Sequence, residues 1–357
     1  MDKNEQPELF WDLGTAYDMF FSLHVLHHPG VYGLRGSWAA GVRSRVPAEE
    51  RKILESAEMV LHVPVTWIHS LPSPKDGATV LWALGQLSPA ERLPAMWFNP
   101  EMYCEVDEIL KEVASKRSWS EGDYEAYRSL SKGKGEKKPK PKVLRESLEW
   151  WSRSEEFGEK ILSALQSYQQ VFFAEEEIRI RPALKESITR AQEMAKRMEV
   201  KALLEELSQG VSSTEWQSYP EIALAPSYWI TPFIIYSEVS AQRMVFMYGA
   251  RPNDASLVPG EMVPDAILRA LKALADPTRM KILRYLAAEP HTPAQLSRNL
   301  RLRAPTVIHH LNALRLAGLV HLTVEPGGDK RYAMRTEMVK DTCDNLQEFL
   351  QKPLSDA

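Results

Sequence analysis

One stretch near the C-terminus decides the fold of the last part of the chain: Leu300-Arg-Leu-Arg-Ala-Pro-Thr-Val-Ile-His-His-Leu-Asn-Ala-Leu-Arg-Leu-Ala-Gly-Leu-Val320. Val307, Leu311 and Leu314 recur at helical spacing and predict a helix with one buried stripe. Gly318 ends this helix. The opposite side carries short polar or apolar residues, one arginine and no acid, namely Pro305, Thr306, Ile308, His309, Asn312 and Arg315. A helix with one buried face and an outward face that is uncharged or basic is suited to the major groove of DNA.

Two capped helices are predicted before this stretch, at Asp276–Leu286 and Thr292–Leu300. In each, a capping residue, Asp276 or Thr292, is followed by proline at the first helical position. A tight turn at residues 301–303 joins the second of them to the helix above. Two short helices joined in this way form a helix-turn-helix.

A β-hairpin is predicted directly after the helix-turn-helix. Leu319–Val324 and Arg331–Arg335 are β-prone and flank Glu325-Pro-Gly-Gly-Asp-Lys330, whose Gly-Gly pair is typical of a turn. The whole arrangement is that of a winged helix-turn-helix, with the hairpin as the wing. Lys330 and Arg331 stand at the end of this turn, where they are predicted to contact DNA phosphates.

Three motifs occur in order along this region: Ala273-Leu-Ala-Asp-Pro-Thr-Arg279, Pro305-Thr-Val-Ile-His-His-Leu311 and Ala317-Gly-Leu-Val320. Together they resemble the winged helix-turn-helix of the ArsR (arsenical-resistance) family of transcriptional regulators. The resemblance covers roughly the last quarter of the chain. It implies a sequence-specific regulator, a repressor by default, that binds double-stranded DNA as a homodimer. The implied partner helices are Ile267–Ala275 and Glu337–Leu350.

The chain departs from the family at chemically important positions. Arg303 and Ile308 stand where the family often has serine. A guanidinium only donates hydrogen bonds and cannot cap a helix N-terminus, and Ile308 can meet a thymine methyl but cannot hydrogen-bond a base edge. The family's Cys-x-Cys would fall near residues 294–299, which hold no cysteine, and the C-terminal helix has Cys343 but no histidine. We therefore expect no cofactor, no metal site and no metal sensing.

The predicted DNA-contacting set combines base readers with phosphate binders. Thr306, His309 and Asn312 are expected to reach base edges or nearby phosphates, because their side chains are short and polar. The full set is Arg303, Ala304, Pro305, Thr306, Ile308, His309, Asn312, Arg315, Lys330 and Arg331, in which the four cations suit phosphates.

Charge and aromatic residues divide the chain into two parts. The net charge of −4 combines +4 over residues 262–357, where 14 Lys and Arg face 10 Asp and Glu, with −8 over residues 1–261. All ten tryptophans precede residue 230. The basic part is the part with the DNA-binding pattern, as neutralisation of phosphates requires.

The rest of the composition indicates a cytoplasmic protein without a membrane segment. Cys104 and Cys343 are far apart in sequence, which argues against a disulfide framework. No apolar run approaches membrane-spanning length, and the first residues do not have the pattern of a signal peptide.

The fold class expected is mainly α (α+β), with a helical N-terminal domain that holds a small β-sheet and with a C-terminal winged helix. Helices are predicted at Leu13–His28, 47–61, 76–85, 89–97, 101–116 and 143–210, the last interrupted near Pro182, and strands at Tyr219–Pro226, Ile230–Tyr236 and Met244–Tyr248. The predicted domains are an effector or dimerisation domain at 1–249, a linker at 250–264, the winged helix at 265–336 and a C-terminal helix at 337–357. Within the first domain, the Lys-rich segment 131–142 is predicted to be a flexible surface loop.

The tryptophans of the N-terminal part suggest a sensor. Trp38, Trp67, Trp82, Trp97 and Trp229 are candidate ligand-binding residues for a small apolar effector, because large rings can line an apolar pocket. The same rings can equally fill a helical core or a dimer interface.

Other functions are less well supported by the sequence. His24 and His28 are four residues apart and could reach one metal ion, but no carboxylate or thiol has a supporting spacing, which favours an ordinary group of surface histidines. A phosphate loop, a nucleophile elbow and a Cys/His pair are absent from the sequence, so an enzyme is not expected. The alternatives are a winged helix that binds another protein, or an enzyme with an appended DNA-binding domain.

Overall fold

The computed structural model describes residues 6–131, 139–260, 263–325 and 328–351. Contacts divide the chain into two compact units. The helical unit comprises Asp12–Pro182 and Ser237–Val245. The composite unit comprises the chain up to Trp11, Ala183–Tyr236, and the chain from Phe246 onward. This division differs from the predicted domains, since a large part of the predicted N-terminal domain belongs with the winged helix.

The described residues are mostly helical. In chain order the elements are β1 Glu8–Trp11, α1 Ala16–His27, α2 Gly36–Ser44, α3 Ala48–Val60, α4 Val65–Ser70, α5 Gly77–Gln86, α6 Pro89–Trp97, α7 Glu105–Lys116, α8 Glu121–Leu130, α9 Pro141–Ser152, α10 Ser154–Tyr168, a π-helical turn Gln169–Phe173, α11 Ala174–Ala195, α12 Val200–Leu207, β2 Val211–Ser213, a 3₁₀ turn Glu215–Ser218, β3 Glu221–Ser227, β4 Ile235–Glu238, β5 Arg243–Gly249, α13 Asp265–Leu274, α14 Pro277–Ala288, α15 Pro293–Leu300, α16 Ala304–Leu316, β6 Val320–Val324, β7 Lys330–Met334 and α17 Thr336–Gln351. No helix among them combines the length and apolar character needed to cross a bilayer.

The helices of the helical unit begin where local chemistry predicts. The Asp76 carboxylate accepts a 2.9 Å hydrogen bond from the backbone N–H of Thr79 and caps α5. Pro89 opens α6, and the backbone N–H of Ser88 donates to the Glu91 carboxylate. The predicted helices at 76–85 and 89–97 are therefore confirmed almost to the residue. The core that they cover is aromatic and includes Phe21, Trp151, Phe157 and Phe173, all buried.

The predictions at Pro182 and at Ile230–Tyr236 are wrong. The helix does not break at Pro182, because α11 continues through it; the buried side chains of Ile180 and Leu184 on either side help to offset the cost of about 3 kcal/mol for proline inside a helix. The predicted strand Ile230–Tyr236 is a turn in its first half, closed by a 2.7 Å hydrogen bond from Phe233 N to Ile230 O, and β4 starts only at Ile235.

A mixed sheet has the strand order β1-β3-β5-β4. β1 was not predicted; it pairs with β3 in parallel, with Glu8 opposite Glu221 and Trp11 opposite Leu224. β3 and β5 are almost wholly buried, with burial continuous along the strands rather than alternating. Strands covered on both faces give continuous apolar runs, and here such runs made β3 and β5 predictable.

The structure describes the start of the predicted linker but little of the predicted Lys-rich loop. Arg251 is buried, its backbone N–H donates to the Thr231 hydroxyl at 3.0 Å, and its guanidinium donates to the Thr231 carbonyl at 3.0 Å. The first residues of the predicted linker thus pack within the composite unit. The predicted loop at 131–142 falls largely outside the described residues, which resume at Pro139.

The winged helix consists of α13 to α16 followed by the hairpin β6–β7, as predicted. The hairpin is antiparallel, with Val320 opposite Met334 and Val324 opposite Lys330. A third strand was not predicted: β2 pairs in parallel with β6, and Leu322 N donates to Gly210 O at 2.8 Å. The wing is therefore part of a three-stranded sheet with β6 in its centre.

Replacement of Leu311 by alanine should destabilise the composite unit. This side chain is fully buried, and removal of a buried leucine typically costs about 2–5 kcal/mol in the free energy of unfolding. Differential scanning calorimetry of the full chain measures the change. Asn312→Ala is the matched control, because Asn312 is the exposed neighbour on the same helix and should change the free energy of unfolding by less than about 0.5 kcal/mol. Equal losses for the two variants would contradict the burial assigned to α16.

Candidate nucleic-acid interface

The turn of the helix-turn-helix is fixed by local hydrogen bonds. Thr292 and Gln295 form a capping box at the start of α15: Thr292 N donates to Gln295 Oε1 at 2.7 Å, and Gln295 N donates to Thr292 Oγ1 at 3.3 Å. At the other end, Arg301 adopts a left-handed conformation with φ 54°. Leu302 N donates to Ser297 O, and the Ser297 hydroxyl donates to Leu302 O, which closes the turn and directs the chain into α16.

The recognition helix α16 presents the face that the sequence predicts. Val307, Leu311 and Leu314 are fully buried, so the opposite face must point outward. The exposed residues of the predicted set on and next to α16 are Arg303, Ala304, Pro305, Thr306, Ile308, His309 and Asn312. This face contains hydrogen-bonding groups, the apolar side chains of Ala304, Pro305 and Ile308, and no carboxylate.

Arg315 is placed differently from the rest of the predicted set. Its guanidinium carbon lies 5.8 Å from the centre of the Phe233 ring, and its side chain is half-buried. Burial lowers the pKa of Arg315 from its usual value. Arg315 is therefore less accessible to a phosphate than the exposed Arg303.

The wing carries the two predicted cations outward. Lys330 and Arg331 are exposed and lie opposite Val324 and Thr323 in the hairpin. Arg331 Nε donates to Glu325 Oε1 at 2.7 Å. Exposed ion pairs of this kind contribute little, about 0–1 kcal/mol, so a phosphate can replace the Glu325 carboxylate as the partner of Arg331.

The segment before α15 ties the wing to the helix-turn-helix. His291 N donates to Tyr332 O at 2.9 Å, and Tyr332 N donates to His291 O at 2.9 Å. The side chain of Tyr332 is buried. This two-residue bridge was not predicted, since nothing in the sequence around His291 marks a strand.

A second contact not predicted from sequence links α14 to the recognition helix. Backbone hydrogen bonds from Arg279 N and Thr278 N, at 3.0 and 2.8 Å, hold the pKa of Asp276 below its usual value. His310 Nδ1 lies 4.0 Å from Asp276 Oδ1, and burial lowers the pKa of His310 although Asp276 opposes this. Asp276, the predicted cap of α14, therefore also lies close to His310 on the inward side of α16. The neighbour of His310 in sequence, His309, is exposed.

Further basic residues lie beside the turn. An open groove of about 750 Å³ is lined by α14 and the α15–α16 turn and includes Lys281, Arg284, Tyr285, His291 and Asn299. Lys281, Arg284 and Arg298 are exposed. Sequence reasoning missed these cations, because it placed the charged contacts on α16 and the wing alone; their helical spacing away from the buried Ile282, Leu283 and Leu286 could have indicated them.

The five tryptophans are not brought together. Trp229 is fully buried in the composite unit, whereas the other four belong to the helical unit. There Trp38 contacts the Phe172 ring, Trp67 the Phe20 ring and Trp97 the Trp151 ring, while Trp82 is 58% exposed. These are contacts of core packing rather than of one shared pocket.

Metal ligands do not converge in the described part of the composite unit: no group of three His, Cys, Asp or Glu side chains meets there. Cys343 on α17 is exposed.

Known proteins match the C-terminal part of this chain. Residues 276–321, which run from the cap of α14 into β6, match the family described as "Bacterial regulatory protein, arsR family". The chain is 45% identical over 74 residues to the HTH-type transcriptional regulator CmtR of Mycobacterium tuberculosis (strain ATCC 25618 / H37Rv), covering 21% of this chain and 62% of that protein. It is 30% identical over 81 residues to the transcriptional repressor SdpR of Bacillus subtilis (strain 168), covering 23% of this chain and 89% of that protein. The structure of HlyU from Vibrio cholerae N16961 aligns with 26% identity and a TM-score of 0.20, over 24% of this chain and 94% of that one.

The matched segment contains all the helix-turn-helix elements described above. The separate alignment with SdpR covers only a fraction of this chain but most of the length of SdpR. The predicted resemblance is confirmed: this chain belongs to the ArsR family of bacterial regulatory proteins.

Proposed function

We propose that this protein is a sequence-specific DNA-binding transcriptional regulator that represses its target as a homodimer. The observation that carries the proposal is the outward face of α16. It is exposed and free of acid on a helix whose other face is fully buried, and the wing that carries Lys330 and Arg331 belongs to the same unit. In helix-turn-helix proteins, the element that enters the major groove is a helix that is buried on one side and exposes the other side to DNA.

Each exposed side chain has a chemical role in this proposal. Asn312 and His309 would hydrogen-bond base edges, Thr306 a base or phosphate, and Ile308 a thymine methyl. Arg303, Lys330 and Arg331 would bind phosphates, joined by Lys281 and Arg284. Arg315 would instead support α16 through its contact with Phe233.

Repression is the direction that the comparisons favour. SdpR is described as a transcriptional repressor, and this chain covers most of its length. A regulator without a catalytic role acts most simply by occupying its operator, and we propose that mechanism here. Since the described composite unit has no converging metal ligands, we propose that the winged helix does not itself sense a metal.

The homodimer is supported by apolar surface on the two predicted partner helices. On α13, Leu268 and Leu271 are 41% and 37% exposed. On α17 only Thr342 is buried, while Leu350 is 71% exposed. α13 and α17 contact each other, so these side chains suit a shared surface that a second copy would cover. A two-fold axis there would present two recognition helices to successive major grooves, about 34–36 Å apart.

Ligand control is supported by a cavity in the composite unit. This cavity, of about 470 Å³, is lined by parts of α11, α12, α13 and α17 and by residues 316–318 at the end of α16. Its walls carry more arginine than acid, namely Arg190, Arg251, Arg269 and Arg335 against Glu206 and Asp341, together with apolar side chains such as Ile267 and Met338. We propose an effector with an apolar body and an anionic group. Because the cavity includes the end of α16, its occupancy can bias the recognition helix.

Replacement of both Lys330 and Arg331 by alanine should weaken binding to all duplexes and reduce its dependence on salt. Each lost phosphate contact lowers the slope of log K against log salt by about 0.9. Fluorescence anisotropy with a selected operator and a random duplex, at several salt concentrations, measures both quantities. A variant that keeps the full slope would remove the wing from the interface.

His309→Ala is the contrasting variant in the same assay. Loss of a base contact should change the preference at one position by about 1–3 kcal/mol and leave the salt slope nearly unchanged. Selection from random duplexes shows the altered position. A loss that is equal on every sequence would show that His309 does not read a base.

The double variant Leu268→Asp, Leu271→Asp should be monomeric, because two carboxylates would be buried in the proposed dimer contact. Analytical ultracentrifugation measures the state of association. Met280→Asp is the control, since Met280 is a comparably exposed apolar side chain (46%) on the neighbouring α14. A double variant that remains dimeric places the interface elsewhere.

For the cavity, salicylate is a suitable probe because it combines an aromatic ring with a carboxylate. It should raise the melting temperature of the full chain, and Arg269→Gln should reduce this shift by at least half. Lys272→Gln, an exposed residue on the same helix that does not line the cavity, is the control. No shift for the parent chain, or equal shifts for both variants, would contradict an anion site.

A further inference from the structure

Two helices of the helical unit bring together three potential metal ligands. His24 lies in the last turn of α1, His28 directly follows that helix, and Glu58 lies on α3. His24 Nδ1 is 2.9 Å from Glu58 Oε2, and His28 Nδ1 is 3.6 Å from the same oxygen. One ligand atom from each of the three side chains lies within 4.8 Å of the other two.

The arrangement of the two histidines follows from helical geometry. Residues four apart lie on one face of a helix, and the chain is still helical at this point, because His28 N donates to His24 O at 3.0 Å. The two imidazole rings are stacked, with centroids 4.4 Å apart and an angle of 30° between their planes. The sequence suggested the two histidines but no third ligand near them. The carboxylate is that of Glu58 on α3, which follows His28 by 30 residues.

The separations fit a small tetrahedral cation. Zinc binds histidine nitrogen at about 2.0–2.1 Å and carboxylate oxygen at about 2.0–2.2 Å, so its ligand atoms are roughly 3.3–3.5 Å apart. The distance from His24 Nδ1 to Glu58 Oε2, 2.9 Å, lies below this range, and the distance from His28 Nδ1 to the same oxygen, 3.6 Å, lies above it. The Glu58 side chain is 11% exposed, whereas His24 and His28 are 35% and 46% exposed. The carboxylate is thus shielded, and the outer side of the cluster is open to water, which can supply a fourth ligand.

The charges around the cluster are compatible with a cation. Glu55 lies nearby and is paired with Arg43 at 3.8 Å. Burial, assisted by Glu58, raises the pKa of Tyr32 to about 12, so this phenol is neutral. The Tyr32 ring meets the His24 ring edge to face, with centroids 5.9 Å apart, and supports its orientation. Burial also lowers the pKa of His27, the neighbour of the pair, from its usual value.

We propose that His24, His28 and Glu58 form a binding site for one divalent transition-metal cation, with zinc as the best match in size and ligand preference. The cation joins the end of α1 to α3 and keeps one position for water. The site lies in the helical unit and does not depend on DNA binding by the composite unit. It departs from the expectation, drawn from sequence, that the chain has no metal site.

The test is calorimetric titration of zinc into the full chain after treatment with chelator. The expected result is one equivalent bound per chain, with a rise in melting temperature, because a ligand that binds the folded state stabilises it. His24→Ala with His28→Ala, and separately Glu58→Gln, should lower the affinity at least tenfold. The control His62→Ala removes an exposed histidine of the same unit that lies outside the cluster, and it should bind zinc like the parent chain.

Cobalt provides an independent readout of the ligands. A tetrahedral site made of nitrogen and oxygen gives visible absorption without the charge-transfer band of a thiolate. Exposed Cys104 and Cys343 are the competing ligands, so a thiolate band in the parent chain would overturn the proposal. So would the absence of stoichiometric binding, or binding that is unchanged in both variants.

Discussion

The structure of the DNA-facing region depends on the burial of one stripe of three side chains. Val307, Leu311 and Leu314 lie fully within the core of the composite unit, where each contributes on the order of 1.5–3 kcal/mol of apolar burial. Successive residues of a helix are rotated by about 100° around its axis. The burial of these three side chains therefore fixes the directions in which the other side chains of α16 point. His309 and Asn312 are outward because the leucines are inward. The outward face is thus a consequence of packing on the opposite face.

The same region separates charge from hydrogen-bonding capacity. The outward face of α16 is nearly neutral, and the cations stand around it, on the wing at Lys330 and Arg331 and beside the turn at Lys281 and Arg284. In DNA recognition, phosphate contacts position a protein and base contacts specify the sequence. A neutral centre with a basic periphery keeps these two contributions apart. The half-buried Arg315, which lies near the Phe233 ring, contributes less to the outer face than the exposed residues do.

Features with a local cause could be predicted from sequence, and features formed by distant residues could not. The caps at Asp276 and Thr292, the buried stripe of α16 and the hairpin follow from neighbouring residues and were found in the predicted places. The parallel pairing of β2 with β6 joins residues about 110 positions apart, and no local pattern announces it. The contact between Glu58 and His24 also joins residues on different helices, and no local sequence pattern predicts it. The continuation of α11 through Pro182 was missed for a different reason: a local rule was outweighed by packing on both sides.

The pairing of β2 with β6 determines which fragments of the chain can stand alone. A piece cut at the conventional start of the winged helix, near Asp265, would lack Val211–Ser213 and leave one side of β6 with bare amide and carbonyl groups. Uncovered strand edges of this kind attract other strands and lead to aggregation. A soluble DNA-binding fragment would therefore have to begin upstream of β2, at α12 or before. The winged helix and the segment that precedes it thus share one sheet, and the choice of a fragment boundary for one affects the other.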